Sequence, residues 1–137
     1  MSAPSSFDLR EAIGREYRRE PALVEAAHIQ AYASATDDTN PRFAGEHCVA
    51  PPIFPVRLFH GLMFDCVGDP DLGLDILRLV HGEQDMSWHG PLKPGDLLEL
   101  TARLESVAQK TKGCVVAWRM VGSIEGEVRV EARFSVF

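Results

Sequence analysis

The second half of the chain alternates apolar and polar residues over three long segments. A period of two is typical of antiparallel strands that bury one face and leave the other partly in water. Lys112-Gly113 and residues 122–126 predict the turns between these strands. A preceding strand is predicted over residues 77–88, with Gly82 marking a bulge. The residues predicted to face the core are Leu98, Leu100, Ala102, Leu104, Cys114, Val116, Trp118, Met120, Val128, Val130, Ala132, Phe134 and Val136.

The first half of the chain carries one strand pattern and then a helical pattern. Residues 15–24 predict a strand, and from Glu25 small and apolar residues recur at helical spacing. We expect this helix to end before Asn40-Pro41, because the residue before a proline disfavours the α region. Its predicted buried face consists of Val24, Ala27, His28, Ala31, Tyr32 and Ala35.

A second helix is predicted from Pro55 to Val67. Proline suits the first helical turn, and only Arg57 and Asp65 interrupt the apolar character of this segment. A helix that is apolar nearly all round is expected to be buried. An antiparallel sheet needs cover for its apolar face, and this helix is the candidate. The sequence therefore predicts an α+β fold, a single hotdog domain with about five antiparallel strands wrapped around a long central apolar helix.

Composition narrows the class of protein further. The 137 residues suit a single domain over 1–137, with residues 1–13 as a loosely ordered N-terminal segment. The net charge of −6 gives no basic footprint for a nucleic acid. There is no apolar run of roughly eighteen residues for a membrane span, and no signal-peptide pattern, so we expect a cytoplasmic protein. Three widely spaced cysteines and five scattered histidines predict neither a disulfide, nor a metal site, nor a cofactor.

Three segments carry motifs in a fixed order. Residues 36–43 read Thr-Asp-Asp-Thr-Asn-Pro-Arg-Phe, and residues 50–54 read Ala-Pro-Pro-Ile-Phe. Residues 80–84 read Val-His-Gly-Glu-Gln, and residues 88–96 read Trp-His-Gly-Pro-Leu-Lys-Pro-Gly-Asp. Together they resemble the MaoC-like (R)-specific hydratases and dehydratases. The resemblance is to the N-terminal-type domains related to the dehydratase of fungal fatty-acid synthase, and it spans almost the whole chain.

The resemblance implies a substrate and an assembly. The substrate would be an enoyl- or 3-hydroxyacyl-thioester on coenzyme A or acyl carrier protein, and the reaction a reversible addition of water. It implies a homodimer, or a heterodimer with a second hotdog subunit, whose sheets join edge to edge with the acyl chain between them. It implies no nucleic acid, membrane or metal partner.

In this family the loop motif Asp-x-Asn-Pro-x-His supplies a catalytic Asp and a catalytic His. Asp38, Asn40 and Pro41 match the motif, but Phe43 stands at the position of the histidine. Hydration needs both a base and an acid, and a phenyl ring exchanges no protons. His47 is the nearest replacement, so Asp38 and His47 are the candidate catalytic residues. The alternative interpretation is a turn-favouring aspartate and an exposed loop histidine.

Five residues are candidate substrate contacts. Asn40 and Phe43 lie in the motif loop, where Asn40 could instead shape the turn. Phe59 and Met63 belong to the apolar face of the predicted helix, which in this family adjoins the acyl tunnel, although packing in the core is the alternative. Gly61 follows His60 in a His-Gly pair that resembles one near the family's helix. The three histidines His60, His81 and His89 are interpreted as structural.

Two hypotheses of different classes follow. The chain is a hydratase or dehydratase that turns over acyl thioesters, alone or with a partner. Alternatively it is a non-catalytic subunit that accommodates the acyl chain, as the phenylalanine at the histidine position favours. A hotdog thioesterase is a third, weaker alternative, since this fold hosts several chemistries.

Overall fold

The computed structural model describes residues 8–137 as a five-stranded antiparallel sheet with a long helix packed on one face. The predicted strands and the second helix are confirmed, and the first helix is shorter than predicted. The strands are β1 (Glu16–Leu23), β2 (His81–Trp88), β3 (Leu97–Lys110), β4 (Gly113–Ile124) and β5 (Glu127–Val136), and the helices are α1 (Ala26–Ala35) and α2 (Pro55–Val67).

The strand order in the sheet is β1-β3-β4-β5-β2. The two strands that come first in the chain therefore form the two edges, β1 beside β3 and β2 beside β5. The predicted bulge at Gly82 is confirmed, because the register of β2 shifts between His81 and Glu83. Among the described residues, the outer edges of β1 and β2 have no strand partner.

One face of the sheet and one face of α2 form the hydrophobic core. The predicted core face of β3, β4 and β5 is confirmed except at its ends, where Val128 is 40% exposed and Cys114 is half-buried. On the opposite face, Ala117 and Ser135 are buried as well. Trp118 stacks on Phe134 with ring centroids 5.1 Å apart. Helix α2 adds its buried side to this core. The buried α2 side chains are Pro55, Phe59, Leu62 and Cys66.

Helix α2 has the predicted bounds but not the predicted burial on all sides. It packs against β1 and β3, whereas His60 and Phe64 point away from that contact, and Phe64 is 54% exposed. The expectation of a helix buried nearly all round is wrong for this chain, because within residues 8–137 no strand packs directly against the side that faces β2. Burial also raises the pKa of the Cys66 thiol to about 12, so this cysteine stays protonated at neutral pH.

Helix α1 buries a different face from the one predicted. Ile29 and Ala33 are buried, while Ala27, Ala31 and Ala35 are exposed. The physical reason is the size of the side chain, because burying an isoleucine contributes far more free energy than burying an alanine does. The helix ends earlier than expected because Asp37 adopts a positive φ of 52°, which interrupts the helical backbone.

Two predicted boundaries are corrected by local side-chain chemistry. Residues 76–78 form a 3-10 helix, with Asp75 accepting a hydrogen bond from the backbone N–H of Leu77, so β2 begins later than predicted. The turn predicted from Gly122 is confined to Glu125 and Gly126. Gly122 belongs to β4, where a Cβ atom would lie 2.9 Å from the side chain of Leu98.

The N-terminal segment predicted to be loosely ordered falls partly outside the described residues. Residues 1–7 lie outside them. Leu9–Ala12 form a 3-10 helix whose N-cap is Asp8, and Ala12 is buried against the core. The described part of this segment is therefore structured.

Candidate functional site

Helix α1 leads into a loop that satisfies its own polar groups. The carboxylate of Asp38 accepts a hydrogen bond from the backbone N–H of Asn40 at 3.0 Å. The side chain of Asn40 in turn accepts one from the backbone N–H of Arg42 at 3.0 Å and caps the 3-10 helix Pro41–Phe43. These are consecutive Asx turns, in which each side chain replaces a backbone acceptor. The formation of these turns is enough to explain why Asp38 and Asn40 stand at these positions, and it requires no ligand.

Asp38 lines a shallow groove of about 200 Å³, the loop groove. Among the residues that the structure describes, Asp38 is the single titratable side chain in its lining. General acid–base catalysis of hydration needs a second proton-exchanging group within hydrogen-bond reach of the substrate. The lining residues are Gln30, Ala33, Ser34, Asp38, Thr39, Asn40, Phe43 and Ala44.

Phe43 also borders a second and larger groove of about 480 Å³, the proline groove. The ring is half-buried and stands between the two grooves, where the family motif has its histidine. Within residues 8–137, Arg42 is the one charged side chain that lines the proline groove. The indole N–H of Trp88 donates to the carbonyl of Pro52 at 2.6 Å and ties the end of β2 to this loop. The remaining lining residues are Val49, Ala50, Pro51, Pro55, Gly90, Pro91, Leu92 and Val130.

The beginning of α2 lies at the proline groove, and three of the backbone donors there are already engaged. The N–H groups of Phe54, Val56 and Arg57 donate to backbone carbonyls at 3.0 Å in each case. Pro55 has no N–H to offer. These three N–H groups are therefore used within the chain and are not free to bind a thioester oxyanion.

A third groove of about 310 Å³ separates α2 from β2, and we call it the helix groove. Its wall is mostly apolar and includes Met63, Phe64 and Phe134. Two histidines, His60 and His81, and the amide of Gln84 are its polar lining. The sequence offered a signal for this convergence in the Gly82 bulge, but Gln84 itself was missed. The other lining residues are Val56, Val67, Ile76, Leu79 and Val136.

The structure brings together some of the predicted site residues and separates others. Asp38, Asn40 and Phe43 share the loop groove, and Met63 lines the helix groove. His47 is exposed and lines none of these three grooves. Its pairing with Asp38 therefore lacks structural support, since the two side chains do not line a common groove.

Two further candidates lie away from the grooves. Phe59 is fully buried in the core, because it lies on the side of α2 that packs against the sheet. Gly61 lies beneath the guanidinium of Arg19 on β1, and a Cβ atom there would come within 2.8 Å of its Cζ. Phe59 therefore lies in the hydrophobic core, and Gly61 lies at the contact between α2 and β1. Neither residue lines one of the three grooves.

Clusters of metal-binding side chains and helices that could span a membrane are both absent from the residues that the structure describes. Within residues 8–137 no three His, Cys, Asp or Glu side chains cluster in a way that suits a metal ion. None of the helices in this range combines the length and apolar character needed to cross a membrane.

Comparison with known proteins decides the family. Residues 11–130 match the family described as the FAS1-like dehydratase domain region. The chain belongs to this family. A relative is a UPF0336 protein of Streptomyces griseus, 34% identical over 105 residues, with 69% of this chain and 70% of the relative covered.

Solved structures similar to this FAS1-like dehydratase domain share its fold. The HadBC (3R-hydroxyacyl-ACP dehydratase) complex of Mycobacterium tuberculosis superposes with a TM-score of 0.79 at 23% identity, covering 92% of this chain and 97% of that one. A MaoC-like dehydratase gives a TM-score of 0.81 at 18% identity, covering 94% of this chain and 42% of that one. The hotdog fold of MaoC-like proteins, predicted from the sequence motifs, is thereby confirmed.

Proposed function

We propose that this protein is an acyl-thioester-binding hotdog subunit that supports reversible (R)-specific hydration of enoyl thioesters together with a catalytic partner. The observation that carries this proposal is the loop groove, where Asp38 is the single titratable residue in the described lining and Phe43 stands in place of the histidine. One carboxylate can hold or accept a proton, but hydration also needs a group to deliver one.

The occupied donors at the start of α2 support the same proposal. A thioester oxyanion needs N–H groups that are free to point at it. In this chain the N–H groups of Phe54, Val56 and Arg57 already donate to carbonyls. With a single titratable group among the described residues of the loop groove, and with these three donors engaged, the chain is better suited to holding the acyl group than to turning it over.

The proline groove gives the thioester a binding place. It is lined mainly by proline and aliphatic side chains, with Arg42 as its charged residue. An arginine on the rim of an apolar groove suits a ligand that is apolar at one end and carries phosphates at the other. Coenzyme A and the phosphopantetheine of acyl carrier protein share this chemistry.

The edge formed by β2 is the surface we assign to the partner subunit. Its outer edge has no strand partner among the described residues, and Val80 and Trp88 are 61% and 48% exposed. An open edge strand with exposed apolar residues is suited to pairing with a second sheet. The HadBC structure, described as a complex, is consistent with such an arrangement.

The test is hydration of crotonyl-coenzyme A by the purified chain, followed as loss of enoyl absorbance. We expect binding without turnover by the chain alone, and turnover when a hotdog protein with an intact Asp-x-Asn-Pro-x-His loop is added. Asp38→Asn and His47→Ala should leave binding unchanged. Hydration by the wild-type chain alone that is abolished by Asp38→Asn would falsify the proposal.

Two further variants sharpen this test. Phe43→His rebuilds the family motif, and we expect no turnover from it alone because the donors at the start of α2 remain engaged. Arg42→Ala should weaken binding of crotonyl-coenzyme A several-fold, with Arg57→Ala as a control on the exposed side of α2. Release of free coenzyme A by the wild-type chain would instead indicate a thioesterase.

A further inference from the structure

The helix groove contains polar groups that the proposed function does not use. His60, His81 and Gln84 are its polar side chains, and the rest of its wall is apolar. Within residues 8–137 none of these three side chains has a hydrogen-bond partner. His60 and His81 instead form T-shaped ring pairs with Phe64 and Phe134. Small-molecule sites usually have an apolar concave wall with a small number of polar groups that point towards the same place.

The bulge at Gly82 creates this convergence. In a regular strand, residues three positions apart point to opposite faces of the sheet. His81 pairs with Val136 and Gln84 pairs with Phe134, and both partners belong to the buried face. The extra residue in β2 therefore turns His81 to the same face as Gln84. Bulges of this kind recur beside functional sites, where they redirect a side chain.

The helix groove and the proline groove follow one another along β2 and α2. Both lie along the inner face of β2, where Trp88 lines the proline groove and Gln84 lines the helix groove. Helix α2 borders both as well, through Pro55 in one and Val56 in the other. Four residue steps along β2 separate Trp88 from Gln84, about 13 Å in an extended strand. An extended medium-length acyl chain covers that distance.

We propose that the helix groove selects acyl chains that carry a hydroxyl or keto group away from the thioester, with His81 and Gln84 as its hydrogen-bond partners. The inference rests on the proposed function, because it takes acyl-thioester binding as given. A plain acyl chain, one without an oxygen beyond the thioester, would remove His81 and Gln84 from water without replacing their hydrogen bonds with water. Such unpaired polar groups oppose binding. A chain with an oxygen at the right carbon pairs with them.

The experiment is calorimetric titration of the full-length chain with decanoyl-coenzyme A and with decanoyl-coenzyme A hydroxylated at successive carbons. We expect one or two adjacent hydroxyl positions to bind up to about tenfold more tightly than the plain chain, equivalent to about 1.4 kcal/mol. Gln84→Leu should abolish this preference and leave the plain chain bound at least as tightly. Gln109→Leu, at the far end of β3 where its amide bonds to the carbonyl of Gly113, is the control.

The outcomes separate the two proposals. If neither plain nor hydroxylated thioester binds, the proposed function fails. If the plain chain binds and no hydroxyl position improves the affinity, the function stands and the selectivity is overturned. If Gln84→Leu changes the sedimentation coefficient of the chain but not its ligand preference, the groove is a protein interface and the proposal is again overturned. Far-ultraviolet circular dichroism of Gln84→Leu checks that it is folded, and His81→Phe provides an independent variant if it is not.

Discussion

The two sides of helix α2 differ in how they meet the sheet. On the β1 side, Arg15 and Tyr17 both reach Asp69 just beyond the helix end, at 2.8 and 2.7 Å, and Arg19 pairs with Asp65 at 2.5 Å. On the β2 side the helix is separated from the strand by the helix groove, where Phe64 is 54% exposed. One side is closed by packing and ion pairs, and the other is open.

This difference shows how the fold makes room for a ligand. Fixing α2 to β1 keeps its position while leaving the β2 side free, so the groove does not depend on the helix moving away. On the closed side, hydrogen bonds to Asp69 stabilise its charged carboxylate. Desolvation alone would raise the pKa of Asp69, but hydrogen bonds from Tyr17 and Arg15 outweigh it and keep this pKa below its ordinary value. Desolvation and the Asp69 carboxylate raise the pKa of Tyr17.

The largest expected effect comes from exchanging two phenylalanines of α2 for alanine. Phe59→Ala should lower the free energy of unfolding by about 3–5 kcal/mol, because it leaves a cavity in a fully buried position. Phe64→Ala, on the open side, should cost less than about 1 kcal/mol. Urea denaturation followed by tryptophan fluorescence measures both. Equal losses for the two variants would mean that the β2 side is as closed as the β1 side.

A smaller effect is expected at Asp69. Asp69→Ala leaves Tyr17 and Arg15 without their shared acceptor and should cost about 2 kcal/mol at neutral pH. Asp71→Ala is the matched control, since this carboxylate pairs with the same arginine but its side chain is 69% exposed, and it should cost under about 0.5 kcal/mol. Thermal unfolding at neutral pH compares them.

The pH dependence of this loss follows from the lowered pKa of Asp69. A carboxyl whose pKa is lower in the folded state stabilises the fold above its unfolded pKa, near ~3.9, and loses that contribution as the pH falls through the folded value. The difference in stability between wild type and Asp69→Ala should therefore shrink as the pH falls from about 5 towards 3. A difference that grows in acid would contradict the ion pair as its cause.

The smallest effect is expected at the exposed end of the same side. Asp65→Asn removes the charge that pairs with Arg19, whose side chain is 51% exposed, and should change stability by less than about 1 kcal/mol. The loss should disappear in 1 M salt, because solvent-exposed pairs are screened. A loss that persists at high salt would indicate that packing of the Arg19 side chain over Gly61, and not charge, closes this side.

Much of the fold was accessible from local pattern. The bounds of α2, the alternation in β3 and the bulge at Gly82 were predicted, because periodicity, proline geometry and glycine placement act between near neighbours. The buried face of α1 was predicted wrongly, since a run of alanines matches the helical period almost as well as the true face around Ile29 does. Periodicity does not weigh the size of the side chains, whereas packing does.

The candidate site was less accessible than the fold. The motif around Asp38 marked the correct loop, but the sequence could not show that its carboxylate closes an Asx turn or that His47 lies outside the grooves. His60 and His81 were assigned to structural roles one at a time. Their convergence with Gln84 requires the position of α2 against an edge strand that comes fourteen residues after it in the chain.

By itself the sequence determined the elements, the hotdog architecture and the family, because these depend on local spacing and on the order of motifs. The tertiary structure alone decided which side of α2 is closed and which is open. It did so by placing β1 and β2, distant in sequence, at opposite edges of the sheet. Arg15 and Arg19 then meet the helix on one side, while His81 and Gln84 face a groove on the other. Contacts of this kind join residues far apart in the chain, so no local pattern specifies them.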